Sequence, residues 1–208
     1  PTSFVGAVEA MCAGENHGSA LNTFSYVVAN ERGCAEVALA SVRFGSPTYT
    51  GQIIAHVDSG ISSYEDLAGK TFCRPDEFST SGWIIPSISM AAAGVDPDTG
   101  LSEVLDAGGH DGVVRAVYEG DCDAGATFVD ARTNVAEDLP DVMEKVVVVA
   151  VSEEIPNDTI SFHPDMDPEV RDAIVQAFLE MTENPDELAV LEDLYSWNGL
   201  IEVDDSFY

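Results

Sequence analysis

Short β-type runs alternate with helix-period segments along almost the whole chain, and no other feature limits the fold as strongly. The alternation predicts α/β layering around a largely parallel sheet. Thr2 or Ser3 caps a helix that turns Phe4, Val5, Val8, Met11 and Cys12 inward. A strand near 19–22, a helix over 25–32 and a strand over 35–42 follow. After the break Gly45-Ser46-Pro47, residues 52–57 read as a strand, and Ser62-Ser63-Tyr64-Glu65 as a capping box opening a short helix that runs to Leu67. Further strands are expected over 71–73, 124–128 and 146–151, and helices over 79–93, 109–118 and 129–138. Beyond Pro156 come an amphipathic helix over 168–182, with Pro at its first turn, and a second helix over 186–195, with no strands of their own. The expected organisation is a discontinuous first lobe from 1–48 and 152–208, a contiguous second lobe over 49–151, and a hinge near 46–50 and 150–156.

Composition bounds the partners. Of the 208 residues, 38 are acidic and 8 basic, giving a formal charge of -30. Nucleic acid binding needs clustered Lys and Arg to neutralise phosphates, so it is excluded as a leading reading. Such an acid excess suits a protein kept soluble in concentrated salt, as in a halophile, where the screening length falls to about 3 Å at 1 M. The longest apolar runs, 146–151 and the segment around Trp83 to Ile85, fall far short of the roughly 20 residues that span a bilayer. Cys12, Cys34, Cys73 and Cys122 form no CxxC pair and have no His at metal spacing, which argues against a zinc site. Two disulfides, Cys12 with Cys34 closing a loop of about 20 residues and Cys73 with Cys122 at strand starts or ends, as an oxidising compartment allows, and four buried thiols are both compatible with the pattern.

The chemistry concentrates at Asp76-Glu77-Phe78-Ser79-Thr80-Ser81-Gly82, which follows a strand and opens a helix. Free backbone N–H groups and up to three hydroxyls converge there, and the helix end adds about half a positive charge, which together make an anion trap. The plainer reading is an ordinary Ser/Thr cap. His110, in Gly108-Gly109-His110-Asp111, stands at another helix start and has a donor to offer the same anion. Ser79, His110 and a later Asp also supply the residue types of a hydrolytic triad, but no GxSxG elbow is present. Glycine-rich nucleotide loops are absent as well, so no cofactor is called for.

The segment carrying these residues resembles the phosphate/phosphite/phosphonate substrate-binding proteins of ABC importers, which have the type 2 periplasmic-binding-protein fold. The resemblance rests on Asp58-Ser59-Gly60-Ile61, Glu65-Asp66-Leu67-Ala68-Gly69-Lys70-Thr71-Phe72, Ser79-Thr80-Ser81-Gly82 with Pro86, Gly109-His110-Asp111, Asp123-Ala124-Gly125 and Ile155-Pro156-Asn157-Asp158, in that order. It implies a two-lobe α/β fold in which Ser79, Thr80, Ser81 and His110 hold the oxyanion and Tyr49 supplies an aromatic wall. Asp130 and Asp158 match places where acidic residues take the ammonium of aminoalkyl phosphonates. A monomer in the periplasm or outside the cell is implied, free or lipid-anchored through a segment ahead of Pro1, handing its ligand to a membrane permease. Against that pattern the first lobe is expected to be incomplete at its N-terminus, and the C-terminus slightly short. A sensor module of a signalling receptor, a Ser79-dependent hydrolase and a structural remnant without ligand are the competing readings.

Overall fold

The computed structural model describes residues 3–208. In chain order the elements are α1 (Phe4–Cys12), β1 (Gly18–Leu21), α2 (Thr23–Glu31), β2 (Glu36–Val42), β3 (Thr48–His56), β4 (Thr71–Arg74), α3 (Ile85–Ala92), β5 (Glu103–Asp106), α4 (His110–Glu119), β6 (Ala124–Phe128), α5 (Val142–Lys145), β7 (Val146–Pro156), β8 (Thr159–Phe162), α6 (Pro168–Glu183), α7 (Pro185–Tyr195) and β9 (Gly199–Glu202). The chain divides into two compact units, one made of the residues up to Tyr49 with Ile155–Tyr208, the other of Thr50–Glu154.

The discontinuous unit is built on a four-stranded sheet in the order β1-β8-β2-β9, and every pairing in it is antiparallel. Its helices start where short polar side chains cap them: Ser3 accepts from Gly6 N at 3.1 Å, and Asn22 accepts from Ser25 N at 2.8 Å. Thr2, the other candidate cap, lies outside the described residues. One cluster, with Val8, Met11, Leu21, Tyr26 and Ala29, packs α1 and α2; another, with Leu39, Ile160, Phe162, Leu191 and Trp197, packs α6 and α7. Phe4, expected inward, is exposed. A disulfide joins Cys12 to Cys34, tying the end of α1 to the approach of β2.

The contiguous unit carries a five-stranded sheet in the order β5-β4-β6-β3-β7, with β4 parallel to both β5 and β6 and β3 antiparallel to β6. Alternation along the strands sends successive side chains to opposite faces. Ile53 and Phe72 join Met90 and Leu67 on the α3 face, whereas Ile54 and Cys73 join Val113 and Val117 on the α4 face. Cys73 is bonded to Cys122, so both cysteine pairs are disulfides and no free thiol occurs among the described residues.

Several expectations needed correction. The chain beyond Pro156 has strands after all, β8 and β9, and the sheet they help form is antiparallel rather than parallel. Each is four residues long, and β8 is buried throughout, so neither displays the period-2 pattern that marks a half-exposed strand. β5 escaped notice for the same reason. The expected box at Ser62–Glu65 is a 3-10 turn over Glu65–Leu67, and the Asp66 carboxylate, not Glu65, accepts from the Ser62 and Ser63 backbone amides at 2.9 and 3.1 Å. The helix expected over 129–138 is only a 3-10 segment, Ala131–Val135.

Candidate functional site

Because β5, β4 and β6 run parallel, the loops leaving their C-terminal ends emerge at one edge of the sheet. Ser79–Ser81 follow β4, His110 follows β5 and Asp130 follows β6. Antiparallel β3 brings its N-terminal end to the same edge, where Gly51 pairs with Phe128 and Gln52 with Thr127. Ligands of open α/β sheets bind outside carboxyl ends of this kind. Tyr49 sits in β3 immediately before Thr50, the first residue of this unit, while Asp158 belongs to the other unit, so the structure gathers five of the seven candidates within one unit.

The helical segment after β4 begins as a π-type turn over Thr80–Ile84 and passes into α3. Ser79 is its cap: the hydroxyl accepts from Gly82 N at 3.2 Å, and the carbonyl accepts from Trp83 N and Ile84 N at 2.9 and 3.0 Å. Ser79, Thr80 and Ser81 are all buried, and Ser81 makes no side-chain hydrogen bond to any other described residue. It borders a small recess with Gly51, Tyr64, Pro86 and Ser152. Two glycines permit this packing. A Cβ on Gly82 would lie 2.3 Å from Pro75 Cδ, and one on Gly51 would lie 3.1 Å from Ser81 Cβ.

His110 is the first residue of α4, and its Nδ1 accepts from Phe128 N at 3.3 Å while its ring packs on the Phe128 ring. An accepting Nδ1 carries a lone pair, so the neutral ring bears its proton on Nε2, which is then a hydrogen-bond donor. Asp130 is gripped by Arg132 through Nε at 2.8 Å and Nη2 at 2.6 Å, and by Gln52 Nε2 at 3.0 Å. The Arg132 hydrogen bond is the foremost reason its carboxyl stays below the usual range, outweighing the upward push of burial. Asp158 Oδ2 accepts from Arg43 Nη2 at 2.7 Å; burial pushes this carboxyl up, and the guanidinium pulls against that.

Sequence reasoning missed Gln52, Phe128, Arg132 and also Arg74, whose Nε donates to Asp106 at 2.6 Å across the ends of β4 and β5. Asp-Ala-Arg at 130–132 was a visible signal, hidden by the expectation of a helix there. Among the described residues no group of three metal-ligating side chains forms a metal site. An apolar cavity of about 340 Å³ in the other unit, between β1, β8, α6 and α7, is lined by no charged residue and offers an oxyanion no counter-charge.

Comparison with known proteins gives the site a context. The profile of a family described as ABC transporter, phosphonate, periplasmic substrate-binding protein matches residues 1–208. The phosphate-import protein PhnD of Mycolicibacterium smegmatis is 29% identical over 228 aligned positions, which cover 100% of this chain and 70% of that protein. The phosphonates-binding periplasmic protein of Escherichia coli is 28% identical over 154 positions, covering 72% of this chain and 45% of that protein. A crystal structure of a binding-protein component of an ABC phosphonate transporter from Pseudomonas aeruginosa shares the fold, with a TM-score of 0.85 at 24% identity over 99% of this chain and 70% of that one.

Proposed function

The chain belongs to the family of periplasmic substrate-binding proteins of phosphonate ABC transporters, and we propose on that premise that it captures a small phosphorus oxyanion, phosphate, phosphite or a phosphonate, for delivery to a membrane permease. The observation that carries this reading is the buried Ser79-Thr80-Ser81 run, opening a helical segment at the sheet edge where His110 also starts its helix. The Ser81 hydroxyl, the Ser81 backbone amide and the Nε2–H of His110 act as donors.

These donors are neutral, which suits capture with release. Each hydrogen bond to a charged ligand contributes about 1.5 to 3 kcal/mol, so three or four near the top of that range give micromolar or tighter binding without a permanent cation. The net charge of -30 opposes an anion only at long range, where salt screens it. Short charge-assisted hydrogen bonds at the turn dominate. No bond is made or broken: the Ser79 hydroxyl is occupied as a cap, accepting from Gly82 N, rather than placed as an activated nucleophile.

The test is calorimetric titration of the 208-residue chain with phosphate, phosphite and methylphosphonate, before and after Ser81→Ala. The substitution is expected to weaken binding by roughly 10- to 150-fold, the equivalent of one charge-assisted hydrogen bond. Its melting temperature should hold, since the Ser81 hydroxyl supports no other side chain. Absence of binding by the unsubstituted chain at millimolar ligand would sink the reading.

A further inference from the structure

The two carboxylates that the sequence offers to a ligand ammonium group, Asp130 and Asp158, each already hold an arginine. Every partner of Asp130 belongs to the unit that carries the Ser79–Ser81 turn. Its Oδ1 accepts from Arg132 Nε at 2.8 Å, from Arg132 N at 3.2 Å and from Gln52 Nε2 at 3.0 Å. Its Oδ2 accepts from Arg132 Nη2 at 2.6 Å. Three donors on Oδ1 and a guanidinium fork across both oxygens leave little acceptor capacity.

Arg132 is not free to turn away. Its Nη1 donates to Val146 O at 2.7 Å, and the side chain is only 13% exposed. Withdrawing it from Asp130 would leave a largely buried guanidinium uncompensated, which is more costly than losing an exposed pair. An ammonium arriving at Asp130 therefore meets an internally neutralised pair rather than a free negative charge. It would lose its own hydration for no net Coulombic gain. The Asp158 carboxylate, in the other unit, is likewise held by Arg43 at 2.7 Å.

We propose, resting on the function above, that the site selects phosphorus oxyanions carrying no ammonium group, with Arg132 as the positioning residue that cancels the charge of Asp130. Arg132 acts through Asp130 rather than on the ligand. Specificity of this kind lies in what the site refuses as much as in what it holds.

Titration with methylphosphonate and 2-aminoethylphosphonate, two ligands that differ by the aminomethyl group, tests it on the full chain. The unsubstituted protein is expected to favour methylphosphonate by about tenfold or more. Arg132→Gln, which removes the cation and frees a carboxylate, should move that ratio about tenfold toward the amino compound, while Arg132→Lys, which keeps the charge, should hold it. A merely structural arginine would weaken both ligands alike and leave the ratio in place. Equal or tighter binding of the amino compound by the unsubstituted chain overturns the proposal, and so does an Arg132→Gln protein with an unchanged ratio. The first measurement stands even if Arg132→Gln does not fold. Binding of neither ligand is a different result, since it strikes the oxyanion reading itself.

Discussion

In the Thr50–Glu154 unit three neighbouring strands run parallel, so the loops after β4, β5 and β6 leave from one edge and bring Ser79–Ser81, His110 and Asp130 to it. In the other unit every strand pairing is antiparallel, and loops after successive strands in the sheet leave from opposite edges. Its polar contacts, among them Arg43 with Asp158, Tyr26 with Asp205 and Asn157 with the Ser41 and Ser46 carbonyls, are set around two apolar clusters instead of a row of helix starts. Similar residue types are on hand in both. Strand direction decides whether they can gather, and only a shared carboxyl edge gathers helix starts.

If the contiguous unit is the more tightly constrained scaffold, its disulfide should matter more. Replacing either cystine by an alanine pair is expected to cost roughly 3 to 4 kcal/mol, the Cys73–Cys122 separation of 49 residues about 0.7 kcal/mol more than the Cys12–Cys34 separation of 22. Urea unfolding measures both, and a larger loss from the Cys12–Cys34 pair would break the comparison. Glycine substitution gives a smaller and sharper contrast. Gly82→Ala drives a Cβ to 2.3 Å from Pro75 Cδ and should cost about 1 to 3 kcal/mol and distort the Ser79–Ser81 turn. Gly199→Ala in β9 meets only ordinary contact, 3.6 Å from Val42 Cβ, and should change stability by less than about 1 kcal/mol.

The smallest effect is the response to acid. Carboxyls held below their usual range concentrate in the contiguous unit: Asp66 mainly by the Ser62 amide, Asp96 by the Asp98 amide, Asp123 by the Thr71 amide, Asp130 by Arg132 and Asp141 by Tyr118. The other unit has Glu9, held by Arg32, and Asp204, held by Ser206. A carboxyl whose folded pKa is depressed stabilises the fold fully above its unfolded pKa, about 4, and that stability is lost as pH falls through the folded value. Asp158, raised by burial, has the opposite sign, and its contribution is kept in acid and lost as pH rises. The chain has two tryptophans, Trp83 in one unit and Trp197 in the other, so single-tryptophan variants report each unit separately. On lowering the pH, Trp83 fluorescence is expected to change first; a coincident or reversed order removes the asymmetry.

The legible parts of the site were those encoded in a few consecutive residues. A Ser-Thr-Ser-Gly run after a strand announces a helix start whatever surrounds it, and α4 was equally plain from Gly-Gly-His-Asp and the apolar period that follows. The Asp130–Arg132 pair was hidden for a specific reason. In an α-helix, residues i and i+2 point to different faces, so the helix expected there made the pair invisible. Asp130 is in fact extended, at φ -115 and ψ 93, ahead of a 3-10 segment, and the fork closes on it. Gln52 lies 78 residues from Asp130 and reaches it only because β3 and β6 are paired.

By itself the sequence determined the α/β class, the two helix starts rich in donors and the chain's strong acidity, because each follows from local pattern or composition. Tertiary structure decided the rest: the antiparallel character of the sheet that holds β8 and β9, the cysteines being bonded rather than free, and the arginines that neutralise the two candidate aspartates. Those outcomes depend on which distant or oppositely directed segments lie side by side. Four-residue strands and single charged side chains carry no periodic signal from which that can be read.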